Sequence, residues 1–142
     1  MPISIAYQVA ADIEKYHEFI HGMKPVNVLE KGDNYMIASL SSRLLGGKVQ
    51  MVAQFEKNRS IHFKQDNGPF KEFSGHWIFN EDVRSASVEF AMMMKHKSFI
   101  INNALSVLGV NLCEKVIKGF RKRAEEVSLN KAEFPISIYS DG

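Results

Sequence analysis

A chain of 142 residues, 45% hydrophobic and 24% charged, has the composition of one globular domain that can bury a core without disulfides or metals. Its formal charge of +2 is too small to mark a nucleic-acid binder on electrostatics alone. One cysteine, Cys113, excludes an intramolecular disulfide and suits a reducing compartment, where a small buried hydrophobe is its expected role.

Met1 to Ala11 lacks the basic start and apolar run of a signal peptide, so none is expected. Pro2 suits a helix start, and Ile5, Val9, Ile13 and Tyr16 keep helical spacing, which predicts a first helix over Ile3 to Tyr16. Phe19, Ile20 and Gly22 then predict a second short helical turn, ending before Pro25.

From Val26 the period changes to two. Strands are expected at Val26 to Glu30, Tyr35 to Leu45, Lys48 to Glu56, Ser60 to Gln65, Lys71 to Asn80 and Arg84 to His96, separated by turn signals such as Gly46-Gly47 and Asp66-Asn67-Gly68-Pro69. Val49, Met51, Ala53 and Phe55 alternate with Lys48, Gln50, Gln54 and Glu56, and Val52 breaks the pattern. Phe73, Gly75, Trp77 and Phe79 alternate with Glu72, Ser74 and His76. One face is thus rich in aromatics and methionine and the other is solvated, as in an antiparallel sheet covered on one side.

The cover is the stretch Phe99 to Val127. Ile101, Leu105, Leu108, Leu112, Val116, Phe120, Ala124 and Val127 recur every three or four residues and mark the buried side of a helix of about eight turns. Phe99 to Cys113 carries no charge, which predicts a wrapped first half. Glu114, Lys115, Lys118, Arg121, Lys122, Arg123, Glu125 and Glu126 predict a second half that is wet on its far face. The uncharged run contains Asn102, Asn103 and Asn111 and falls short of the roughly 20 apolar residues of a membrane span. Gly109 and Gly119 each cost about 1 kcal/mol against alanine in a helix interior. Either they open a groove for a ligand or another backbone crosses closely there. The domain is expected over residues 1–128, and residues 129–142 form a tail in which Phe134, Ile136 and Ile138 alternate, as an added strand would.

The chemistry-bearing residues do not converge. His17 and His21 have the spacing of a helical metal pair but no third ligand; His62 and His76 fall on the solvated face, and His96 ends a strand. No Gly-rich phosphate loop or serine elbow is present, so no catalytic residue, no metal and no enzymatic activity are expected. The distinctive surface is the inner one. Its candidate ligand-binding residues are Met51, Phe55, Phe63, Phe73, Trp77, Phe90, Met92, Leu105, Leu108, Gly109 and Leu112, with Met94 beside them.

Asp12-Ile13-Glu14-Lys15-Tyr16-His17-Glu18-Phe19-Ile20, then Asp66-Asn67-Gly68-Pro69-Phe70-Lys71, then Gly75-His76-Trp77-Ile78-Phe79 resemble the coenzyme Q-binding, START-like proteins of the polyketide cyclase superfamily, over about Pro2 to Val127. That family also includes the bacterial ribosome-association toxin. The resemblance implies an α+β helix-grip (START/Bet v 1-like) fold, a curved antiparallel sheet around a long C-terminal helix.

It further implies a non-catalytic binding protein or chaperone for a polyprenyl quinone (ubiquinone), supporting respiration from the bacterial cytoplasm and touching the inner membrane transiently. The ring would lie against Trp77 and Phe73, and the tail along Leu105, Leu108, Gly109 and Leu112. The alternative it implies is binding to the large ribosomal subunit, with Lys115, Lys118, Arg121, Lys122 and Arg123 facing RNA. The chain departs from the family at His17 and His21, where prolines are usual. It also departs at its start, where a first strand is usual. The segment Phe134 to Tyr139 is expected to pair in that vacant place, within its own chain or with a second copy in an oligomer, unless the native start lies upstream of Met1.

Overall fold

The structure, a computed structural model, describes residues 2–20, 22–42, 47–81, 86–129 and 136–140, without the side chains of residues 42, 47, 86, 105–108 and 136–140. Helix α1 spans Ile3–Ala11 and a 3-10 turn spans Ile13–Glu18. Strands β1 (Asn27–Lys31), β2 (Tyr35–Ser42), β3 (Gly47–Glu56), β4 (Ser60–Asn67), β5 (Phe70–Glu81) and β6 (Ala86–His96) follow. Helix α2 (Phe99–Leu129) and strand β7 (Ile136–Ser140) complete the described elements. The antiparallel strands and the long helix are those the patterning predicts, and together they make the α+β helix-grip architecture that the resemblance implies.

β1 to β6 pair antiparallel with their sequence neighbours, and β7 lies parallel to β6 at the edge of the sheet. A parallel neighbour needs a crossover, and α2 is that crossover. Register shifts between Val28 and Glu30, Gln50 and Met51, and Phe70 and Glu72 bend three of the strands. Such bulges increase local twist and help the sheet to curl over the helix.

The first predicted helix is broken in two. Asp12, at φ −83° and ψ 64°, ends α1. Its backbone N–H still bonds to the Gln8 carbonyl, and its carboxylate makes no cap hydrogen bond but lies 3.7 Å from Lys15. The Tyr16 hydroxyl folds back to donate to the Ala10 carbonyl, one of the acceptors the helix end leaves over.

The burial of α2 departs from the expectation at its start and follows it in the second half. Phe99, Ile100 and Ile101 are 78%, 80% and 44% exposed, and Val110 is also exposed, so the first turn of the uncharged half is not wrapped. Cys113, at the end of the first half, and Val116, Phe120 and Ala124 in the charged second half are buried in the cluster shared with α1, β5 and β6, on the side the spacing predicts. Charge tells which side of a helix faces water only where the helix lies on the domain; the first turns of α2 extend past the covering elements.

The two helix glycines differ in the same way. A Cβ on Gly119 would collide with the Phe19 carbonyl oxygen, so another backbone crosses there. A Cβ on Gly109 would meet only the Met94 Cε, at 3.1 Å.

Candidate functional site

Three apolar clusters share the interior. The first joins α1, β4–β6 and the second half of α2 through Ile61, Trp77, Phe90, Val116 and Phe120. The second holds Leu40, Val49, Met51, Phe70 and Phe73, and the third holds Ile13, Met36, Ala38 and Ala53. Phe63 packs against all three. Where they meet, the protein leaves a cavity of about 80 Å³.

Seven of the predicted residues come together on its wall: Met51, Phe63, Phe73, Trp77, Phe90, Met92 and Leu112. Phe55 does not line it; this half-buried ring packs against the first and third clusters instead. Gly109 also lies off the wall, facing Met94. The side chains of Leu105 and Leu108 lie outside the described residues. The sheet side of the wall was visible as alternation on β3 to β6.

The rest of the wall comes from the region before β1 and from β2, where Ile13, Tyr16, Ile20, Gly22, Met23, Leu40 and Ser41 close it, together with Ile61 and Val116. Those before β1 lie where the backbone is irregular and gives no periodic signal; Leu40, Ile61 and Val116 lie on predicted strands and the predicted helix but were not singled out as lining. Gly22, at φ +86°, supplies a left-handed turn that a side-chain-bearing residue rarely adopts. Gly75 faces Phe63 across the β4–β5 pair, and an added Cβ would collide with the Phe63 Cζ. The missing side chain at Gly75 therefore sets where the Phe63 ring lies at the junction of the clusters.

Tyr16 and Ser41 supply the only side-chain hydroxyls among the lining residues. Burial pushes the Tyr16 hydroxyl well above its ordinary value, a nearby Asp12 carboxylate adds to this, and a hydrogen bond from the Trp77 indole opposes it. The hydroxyl therefore stays protonated and can take part in neutral hydrogen bonding inside an otherwise apolar chamber. Trp77 also contacts Phe90 and Phe120, with ring centroids 4.5 Å and 4.7 Å away, which fixes the indole in place.

A more polar groove of about 320 Å³ lies outside, between the 3-10 turn and α2, lined by His17, Glu18, Phe19, Lys122, Arg123 and Glu126 among others. Arg123 donates to Glu18 at 2.9 Å and stands over the Phe19 ring at 5.8 Å. It is therefore engaged in packing the turn against the helix. His62 and His76 sit side by side on the outer face, with ring centroids 5.7 Å apart. His21 lies outside the described residues, and among the described residues no three His, Cys, Asp or Glu cluster as metal ligands. No helix among them is long and apolar enough to cross a membrane.

A family model described as polyketide cyclase / dehydrase and lipid transport matches residues 1–121. The chain belongs to this family. The ribosome association toxin RatA of Vibrio cholerae is 27% identical over 124 residues, covering 85% of this chain and 86% of that protein. RatA of Escherichia coli K12 is also 27% identical, covering 85% and 78%.

Among solved structures, the Zhui aromatase/cyclase from Streptomyces sp. R1128 superposes with a TM-score of 0.77 at 14% identity, covering 94% of this chain and 92% of that one. A Thermus thermophilus protein gives a TM-score of 0.71 at 18% identity, covering 89% and 92%. At these identities the structures establish the helix-grip fold.

The expectation that the chain has no enzymatic activity is corrected by these matches. Its family is described by cyclase and dehydrase chemistry alongside lipid transport, and aromatase/cyclases share its fold. The physical reason is that convergent charged or nucleophilic side chains are not the only arrangement that supports a reaction. A shaped apolar chamber can accelerate an intramolecular reaction by restricting conformers, with one or two hydroxyls as its only polar groups, and leaves no such constellation in the sequence.

Proposed function

We propose that the protein binds an apolar, ring-bearing molecule in the chamber beneath α2, and that a polyprenyl quinone is its ligand. The observation that carries this reading is a void at the junction of three core clusters, walled by aromatics and methionines, with Ser41 and the Tyr16 hydroxyl, itself bonded to Ala10, as its hydroxyl-bearing residues. Well-packed interiors hold few voids larger than a water molecule. The volume of about 80 Å³ is roughly half that of an engineered apolar cavity that admits benzene. A quinone ring enters only as Met23, Met51 or Met92 moves aside, and unbranched thioether side chains repack at little cost. With the ring against Trp77 and Phe73, the prenyl tail leaves past Leu112 towards Gly109.

The test is titration of the full chain with a short-chain ubiquinone, read by quenching of Trp77, together with lipid extraction and mass spectrometry of protein purified from membrane-rich cells. Saturable quenching is expected, and Leu112→Trp, which fills the chamber, should weaken it about tenfold or more. Unsaturable quenching with no co-purified prenyl lipid would sink the reading.

A second reading is association with the large ribosomal subunit, favoured by the RatA relatives. Lys115, Lys118, Arg121 and Lys122 are its RNA-facing set; Arg123, held by Glu18, is not part of it. Cosedimentation with ribosomes should fall steeply between low and high salt if phosphate contacts carry the binding. Both readings put the protein in the bacterial cytoplasm.

A further inference from the structure

We infer that the start of α2 is a docking tip for an anionic lipid surface. Phe99, Ile100 and Ile101 are consecutive and all exposed. Successive helical residues point about 100° apart, so these three side chains radiate in different directions around the axis. A protein partner covering one face of the helix would bury one or two of them and leave the other in water. A fluid interface surrounds a protruding tip and takes all three.

The tip is held out by a fixed turn. The His96 amide donates to Asn102 Oδ1 at 3.1 Å, the Ser98 amide to His96 Nδ1 at 3.0 Å, and the Asn102 amide to the Ser98 carbonyl at 2.9 Å. Its exposure is therefore built into the end of β6.

The charges beside the tip fit an anionic surface. Lys95 and Lys97 precede it on the chain, and Lys71 lies on the adjoining strand, where Phe70 pairs with His96. Glu72 is the acid next to them, at 3.9 Å from Lys95. From Phe90 to Cys113 the sequence contains no aspartate or glutamate that an anionic surface would repel. Apolar side chains flanked by lysines are the combination that binds the headgroup–acyl boundary. Leu112, on the chamber wall, is about 20 Å along the helix from Phe99. The inference does not depend on what occupies that chamber.

The test is flotation of the full chain with phosphatidylcholine vesicles and with phosphatidylcholine–phosphatidylglycerol vesicles, alongside gel filtration. The protein should float with the anionic vesicles, and Ile100→Glu should cut its partition about tenfold or more with its melting temperature unchanged. Lys97→Glu should weaken binding to the anionic vesicles more than to the neutral ones. In a Phe99→Trp variant, emission should shift to the blue on adding anionic vesicles, against the constant background of buried Trp77. Absence of flotation, flotation of Ile100→Glu equal to that of the parent, or unmoved emission from a floating Phe99→Trp variant would each overturn the inference. So would a dimer that Ile100→Glu dissociates.

Discussion

The two halves of α2 have opposite relations between composition and burial. The first half is uncharged and begins with exposed apolar residues; the second is crowded with Lys, Arg and Glu yet buries Val116, Phe120 and Ala124. A helix needs only one stripe to be buried, and Cys113, Val116, Phe120 and Ala124 provide it while the charges occupy the other side. The start of the first half has no covering element, so Phe99, Ile100 and Ile101 remain in water. Absence of charge is permission for burial; burial itself requires a partner surface.

The comparison is broken most directly by truncation. Phe120→Ala should cost about 3–5 kcal/mol, since the ring is fully buried against Trp77, whereas Ile100→Ser should stay within about 0.5 kcal/mol. Urea melts of the two variants check this, and equal losses would mean that both halves are packed alike.

Next come the glycines. Gly119→Ala should destabilise by about 1–3 kcal/mol, because a carbonyl of the 3-10 region's end occupies the place of the new methyl group. Gly109→Ala should instead stabilise by up to about 1 kcal/mol, the helix-propensity gain, as the flexible end of Met94 yields.

The smallest effect concerns the chamber next to the second half. Burial raises the Tyr16 hydroxyl above its ordinary value of 10.0, so the unfolded state ionises first as pH rises. Its contribution is complete below pH 10.0 and is lost progressively above it. Tyr16→Phe should be less stable at neutral pH, by about 1 kcal/mol for the lost hydrogen bond, and should show a shallower alkaline decline in melting temperature. Parallel pH profiles of the two proteins would contradict this.

The strands were legible in the sequence because a half-buried antiparallel strand must alternate: β3 and β5 repeat an apolar–polar pattern that no helix would tolerate. The sheet side of the chamber was legible for the same reason, in Met51, Phe73, Trp77, Phe90 and Met92. Ile13, Tyr16, Ile20 and Met23 were not, because their positions depend on a helix broken at Asp12 and a left-handed Gly22. Nor was the exposure of the start of α2, which depends on how far the neighbouring elements reach. The inference of inactivity failed at the level of chemistry: confinement leaves a wall of ordinary hydrophobic residues, which reads like any core.

The parallel pairing of β7 with β6 has a consequence for synthesis. Every antiparallel pair of the sheet is complete once His96 has been made, but the outer edge of β6 waits for residues 136–140, after all of α2. During translation that edge stays open, offering unpaired amides and carbonyls to any nascent neighbour. Chains interrupted shortly before those residues would therefore emerge nearly whole and yet prone to join one another edge to edge.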